Sequence, residues 1–117
     1  MGQEYTRQLQ NIRSIQLPVE EAWARSVYWM YGLVLSPAAG MSAVEFSEKL
    51  KDRDVETRPF FLGMHEQPVL LKQGFFKGEN YPVTEMLSRQ GLYLPSGIGL
   101  TGEQQAAVCS AVREVLS

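Results

Sequence analysis

The chain has 117 residues, 44% hydrophobic and 21% charged, with a net charge of −2 at pH 7. That balance belongs to a folded domain with one real core, and the lack of a basic stripe leaves nucleic acid no electrostatic footprint. No apolar run reaches the ~20 residues that cross a bilayer, and the single cysteine, Cys109, permits no internal disulfide, which suits a reducing cytoplasm.

The first helix is predicted over residues 3–12, where Tyr5, Leu9 and Ile12 recur at helical spacing. Ile15-Gln16-Leu17-Pro18 reads as a short extended piece, because a proline pushes its predecessor out of the helical region. Val27 to Leu35 is rich in aromatic and β-branched residues and predicts a central strand covered on both faces. Ser42 and Glu45 form a capping box for a helix running to about Asp52, with Ala43, Phe46 and Leu50 on one face.

An extended run is expected from Val55 to Phe61, then a loop-rich stretch from Leu62 to Asn80 punctuated by Gly63, Pro68, Gly74 and Gly78. Pro82 fits the first turn of a further helix that turns Val83, Met86 and Leu87 inward and stops at Gly91. Leu92-Tyr93-Leu94-Pro95 reads as a short strand, followed by the turn Ser96-Gly97-Ile98-Gly99. Thr101 and Gln104 make a second capping box, and Ala107, Val108, Ala111, Val112, Val115 and Leu116 line the last helix. Cys109 falls in this apolar pattern and is read as a packing residue. Short elements in this order predict one α+β domain over residues 1–117, a small, mostly antiparallel sheet flanked by helices.

Catalytic machinery is hard to assemble from these residues. One histidine and one cysteine cannot close a zinc site of nitrogen and sulfur ligands, and neither a Walker A nor a G-x-G-x-x-G loop occurs. Glu45, Glu48, Asp52, Asp54 and Glu56 alternate with Lys49, Lys51 and Arg53, a mixed pattern read as a solvated helix face. What stands out is Arg58-Pro59-Phe60-Phe61 followed by His65, the only histidine. Such an arginine can grip a carboxylate or phosphate with a bidentate fork, or pin a strand edge through an ion pair. Such a histidine can move protons, or hydrogen-bond to a backbone carbonyl. No nucleophile accompanies them at a recognisable motif. They amount to part of a site.

The series Ile15–Pro18, Val27–Gly32, Glu56–Phe61, His65-x-Gln67-Pro68 and Gly91–Gly97 resembles, in order and over essentially the whole chain, the C-terminal portion of the DegT/StrS-type sugar aminotransferases. That resemblance implies the small domain of a fold-type I, pyridoxal-phosphate-dependent enzyme that converts nucleotide-linked keto sugars into amino sugars, for cell-surface polysaccharide or antibiotic sugars. It implies a homodimeric parent whose large N-terminal domain carries the Schiff-base lysine and most phosphate-binding groups. It also implies that these residues alone bind no cofactor and are inactive. His65 and Arg58 would line the substrate side of the cleft, with Phe60 or Phe61 as an apolar wall. Trp29 and Tyr31 would belong to the core, with a tyrosine edge able to reach the nucleotide sugar. Neither Lys72 nor Lys77, in the glycine-rich loop, is expected to hold a cofactor. The alternative reading is a stand-alone sugar-nucleotide-binding or regulatory module without catalytic activity.

Overall fold

A computed structural model describes all 117 residues. Five helices, α1 (Gly2–Leu9), α2 (Ala43–Lys51), α3 (Pro68–Lys72), α4 (Pro82–Gln90) and α5 (Gly102–Leu116), surround four strands, β1 (Ile15–Gln16), β2 (Tyr31–Leu35), β3 (Arg58–Pro59) and β4 (Gly91–Leu94). The sheet runs in the order β1-β2-β4-β3 and every neighbouring pair is antiparallel. This is the expected α+β class.

Alternation along the two central strands sorts the sheet into unequal faces. Tyr31, Leu33, Leu35, Leu92 and Leu94 point into the core, while Gly32, Val34 and Tyr93 are half-buried on the opposite face. The core face packs against Tyr5 and Leu9 of α1, Phe46 and Leu50 of α2, and Val108, Cys109 and Val112 of α5. Burying each large apolar side chain contributes about 1.5–3 kcal/mol. Both predicted capping boxes form: Ser42 Oγ accepts from the Glu45 backbone N–H, and Thr101 Oγ1 accepts from that of Gln104.

The structure corrects several expectations. The second strand begins at Tyr31 rather than Val27. Tyr28 adopts a left-handed φ of +48°, and its ring lies on Gly2, where an added Cβ would meet ring carbons at 2.3–2.6 Å. The chain therefore docks on α1 and turns sharply before pairing starts. Val27 and Trp29, read as strand and core, are exposed. The strand is central in the sheet but deeply buried on one face only. Within Leu62–Asn80, read as loop, a 3₁₀ turn spans Met64–Glu66 and Pro68 opens α3. A proline at the first helical position is as good a starter as a breaker, and five residues are too few to show periodicity. Helix α4 starts at Pro82 and stops at Gly91 as expected, but Val83 and Met86 face solvent. Ala107 is also exposed, and Gln105 takes an inward position on α5 with its amide donating to the Met1 carbonyl.

Candidate functional site

At one end of the sheet, the residues just before β2, just after β4 and just before β3 come together. The register explains why. Tyr31 pairs with Leu94 and Arg58 with Tyr93, so the segments continuing past those pairs, Trp29-Met30, Pro95-Ser96 and Glu56-Thr57, lie side by side. Ser96 Oγ donates to the Trp29 carbonyl at 3.4 Å and ties two of these segments. Together with Gly97, Gly99, Leu100 and Gln104 they enclose an open groove of about 700 Å³. That volume is in the range of sites that take small molecules.

Arg58 is in this groove, exposed, and takes part in none of the chain's ion pairs. The strand-edge ion pair open to it from sequence does not form, so its guanidinium fork faces solvent. Phe60 is elsewhere. Its ring lies over Gly32 and Gly91, where added Cβ atoms would stand 2.8 Å and 2.2 Å from it, and it tilts against Tyr93 at 4.5 Å between centroids. The ring fills a gap that two glycines leave in the outer face of the sheet. Phe61 is 74% exposed and touches the same cluster through Tyr93, 6.3 Å between centroids.

Tyr31 is fully buried. Its hydroxyl shares a 2.8 Å hydrogen bond with Thr6 Oγ1, and its ring packs against Tyr5 and Tyr28. Burial pushes its phenol above the ordinary value of 10.0, with the Thr6 bond opposing. The expected core role holds, and no tyrosine edge at this position is open to a ligand. Cys109 is a buried packing residue whose thiol is pushed up by burial, away from the reactive thiolate.

His65 sits outside the groove, in the 3₁₀ turn, and is 8% exposed. Its Nε2 lies 3.1 Å from Glu85 Oε1. An ionised carboxylate only accepts, so Nε2 carries the proton in this bond. The partner is a carboxylate instead of the backbone carbonyl considered from sequence. Glu85 Oε1 also accepts from the Tyr81 backbone N–H at 3.2 Å, and the Tyr81 ring tilts over the imidazole at 4.8 Å. The Tyr81 N–H, and secondarily His65, hold the Glu85 carboxyl below its ordinary 4.5. Glu66, 3.9 Å from His65 Nε2 through Oε2, takes the Arg89 guanidinium on Oε1 at 2.6 Å. Gly63 makes the turn possible, since a Cβ there would lie 2.7 Å from the imidazole. Arg58 and His65, neighbours in sequence, are thus parted: one lines the groove and the other fastens the turn to α4.

The groove residues that sequence reasoning missed are Trp29, assigned to the core, Glu56, assigned to a solvated face, and Ser96 and Gln104, read as turn and cap. The one signal was the glycine turn directly after a strand. No group of three or more histidine, cysteine or acidic side chains is placed to hold a metal ion, and no helix is long and apolar enough to cross a membrane. All four lysines, Lys49, Lys51, Lys72 and Lys77, are exposed and none lines the groove. A Schiff-base lysine needs burial or neighbours that deprotonate its amine, and these do not fit pyridoxal phosphate.

Residues 1–113 match the DegT/DnrJ/EryC1/StrS aminotransferase family. GDP-perosamine synthase of Escherichia coli O157:H7 is 31% identical over 108 residues, 92% of this chain but 28% of that protein. Among solved structures, DesV of S. venezuelae in complex with a ketimine intermediate superposes with a TM-score of 0.78 at 26% identity, covering 97% of this chain and 29% of DesV. NtdA of Bacillus subtilis with bound cofactor PMP gives 0.80 at 26% identity, covering 98% and 26%. PseC of Helicobacter pylori, an aminotransferase in pseudoaminic acid biosynthesis, gives 0.83 at 14% identity and shares the fold. The chain thus spans under a third of the length of these relatives. It belongs to the DegT/DnrJ/EryC1/StrS aminotransferase family of sugar aminotransferases.

Proposed function

We propose that this chain is the C-terminal small domain of a pyridoxal-phosphate-dependent nucleotide-sugar aminotransferase, converting a keto sugar to an amino sugar, and that it supplies the substrate side of the cleft. The observation that carries the reading is the family match over residues 1–113 in a chain whose groove presents an unpaired arginine and no lysine. The large domain of the parent brings the cofactor and its lysine, in a homodimer. When bound there, pyridoxal phosphate supplies the electron sink for exchange of the amino group. The residues of this chain bind and orient. Arg58 offers two parallel N–H donors to a phosphate, and the Ser96–Gly99 turn leaves room for a ligand beside it. His65 positions the turn that follows Phe61 through its bond to Glu85.

A domain exchange tests this. The matching segment of the E. coli GDP-perosamine synthase is replaced by this chain, and amination of that enzyme's keto sugar is followed. The exchanged enzyme is expected to turn over, with Arg58→Ala raising KM for the nucleotide sugar more than it lowers kcat. A folded, cofactor-loaded chimera without turnover would overturn the reading. A second reading, a sugar-nucleotide-binding module without catalysis, is favoured by a groove that holds the unpaired Arg58 and no lysine. It predicts saturable binding by the chain alone.

A further inference from the structure

We infer that the excursion over residues 67–80 is a contact for an anionic membrane surface. Its exposed apolar side chains enter the lipid interface and its two lysines sit among the headgroups. This surface lies outside the groove and takes no part in the proposed function. Its closed base, its pre-formed tip and its charge carry the assignment.

His65 and Tyr81 flank the excursion, their rings tilted together at 4.8 Å, and Glu85 accepts from both His65 Nε2 and the Tyr81 backbone N–H. Between these anchors no residue is buried. Val69 is 59% exposed, Leu71 42% and Phe75 54%, so the apolar side chains here stand away from the core. The tip is nevertheless ordered by its backbone. Helix α3 ends at Gly74, whose φ is +88°; the Gly74 N–H donates to the Leu71 carbonyl at 3.0 Å and the Phe75 N–H to that of Leu70 at 3.1 Å. This pair of bonds closes a helix in the Schellman manner, which needs the left-handed residue that glycine supplies. Phe76 and Gly78 are left-handed as well, and the Glu79 N–H donates to the Phe76 carbonyl at 3.2 Å. The Phe75 and Phe76 rings lie 6.4 Å apart. A tip already folded loses little backbone freedom when it binds.

Charge decides the partner. Residues 67–78 contain Lys72 and Lys77 and no acidic side chain. Neither lysine takes part in an ion pair. A Cβ at Gly74 would lie 3.8 Å from Lys77 Nζ, which places that ammonium beside the aromatic turn. The chain as a whole carries −2, so the residues outside this +2 segment sum to −4. The excursion is the positive pole of an acidic molecule, and an anionic surface attracts it while repelling the body. The buried cores of protein interfaces are depleted in lysine. A bilayer interface instead takes apolar side chains below the headgroups and lets lysine stems lie along them with the amine in water. The contact is with the surface only, since no helix is long and apolar enough to cross.

The experiment sediments the 117-residue chain with vesicles of phosphatidylcholine, alone or with about a third phosphatidylserine to supply the anionic surface. The chain is expected to pellet with the anionic vesicles and not with the neutral ones, and to be released as salt rises from about 0.05 to about 0.5 M. Lys72→Gln and Lys77→Gln should each weaken binding about fivefold. Phe75→Ser should weaken it by at least about fivefold, as expected for withdrawing a half-exposed ring from the lipid. Lys49→Gln with Lys51→Gln removes the same charge from exposed positions on α2 and should change binding by less than about twofold. All five side chains are exposed, and an unchanged urea midpoint verifies the fold of each variant. Equal binding to neutral vesicles, no binding to anionic ones, or a loss on the α2 pair as large as on Lys72 and Lys77 would each overturn the assignment. So would self-association in sedimentation equilibrium that Phe75→Ser abolishes, because the tip would then belong to a second copy of this chain. The exchanged enzyme supplies the last comparison. If it turns over but fails to pellet where the chain alone does, the large domain covers the tip; the membrane contact falls and the proposed function stands.

Discussion

The two halves of the molecule are held by different physics. On the helical side, α1, α2 and α5 press fully buried residues such as Tyr5, Leu9, Phe46, Leu50 and Val112 onto the sheet. Between Phe61 and Gln90, neither α3 nor α4 buries a single residue, and the only buried positions are Gly63 and His65. Phe61, Met64, Val69, Phe75 and Val83 are all more than half exposed there. The first region is a hydrophobic core. The second is fastened by the His65–Glu85 bond and by the Glu66–Arg89 pair. Apolar content alone therefore says little about where this chain is stable; what matters is which apolar residues the topology gives a partner.

The sharpest way to break that contrast is to truncate one phenylalanine or valine on each side. Phe46→Ala should cost about 3–5 kcal/mol in urea unfolding, a large part of the stability of a domain this size. Val83→Ala, on the exposed face of α4, should stay within about 0.5 kcal/mol. Comparable losses would mean that the second region also rests on a packed core. Next in size is Gly91→Ala, because the new Cβ would stand 2.2 Å from Phe60 Cδ2 and the ring cannot stay where it is. Overpacking of this kind costs about 1–3 kcal/mol. Paired with Phe60→Ala it should cost less than the two changes added, and strict additivity in the double-mutant cycle would deny the contact. A smaller effect, about 1 kcal/mol, is expected for Thr101→Ala, which removes the side-chain acceptor at the start of α5.

Much of the helical side was legible in the sequence because its signals are local. The capping boxes at Ser42 and Thr101 join residues three apart, and the faces of α1 and α2 repeat at helical spacing, so no knowledge of the rest of the chain is needed. The strand at Leu92–Leu94 and the stop at Gly91 were likewise readable. What failed depended on distant partners. Trp29 and Val27 look like strand residues until Tyr28 turns the backbone to lie on Gly2, a contact between positions 26 apart. Val83 and Met86 share a helix face, but periodicity does not say whether anything covers it. The candidate site divided the same way. Arg58 was singled out from its own chemistry, and the structure places it in the groove. The groove around it was invisible because Glu56, Trp29 and Ser96 meet only through the register of three strands.

The smallest expected effect bears on the polar fastening itself. Glu85 accepts from the Tyr81 backbone N–H and from His65 Nε2, and its carboxyl is held below 4.5 mainly by the first of these, with the burial of the site opposing. A folded-state value below the ordinary one means that the unfolded chain binds the proton more readily. The stabilisation is therefore fully present above about pH 4.5 and is lost as pH falls through the lowered folded value. Glu85→Gln removes the charge at every pH while keeping one carbonyl oxygen to accept from Tyr81 and His65. At pH 7 the variant should unfold at a slightly lower urea concentration than the parent, and the two curves should converge as pH falls through the lowered folded value. Hydrogen exchange at Tyr81 and in the Met64–Glu66 turn should quicken in the variant at pH 7, while amides of β2 and β4 stay protected, because the carboxylate reaches only the second region. If the core strands loosened as much as the turn, Glu85 would be holding the whole fold, and the division of the molecule into a packed half and a hydrogen-bonded half would not stand.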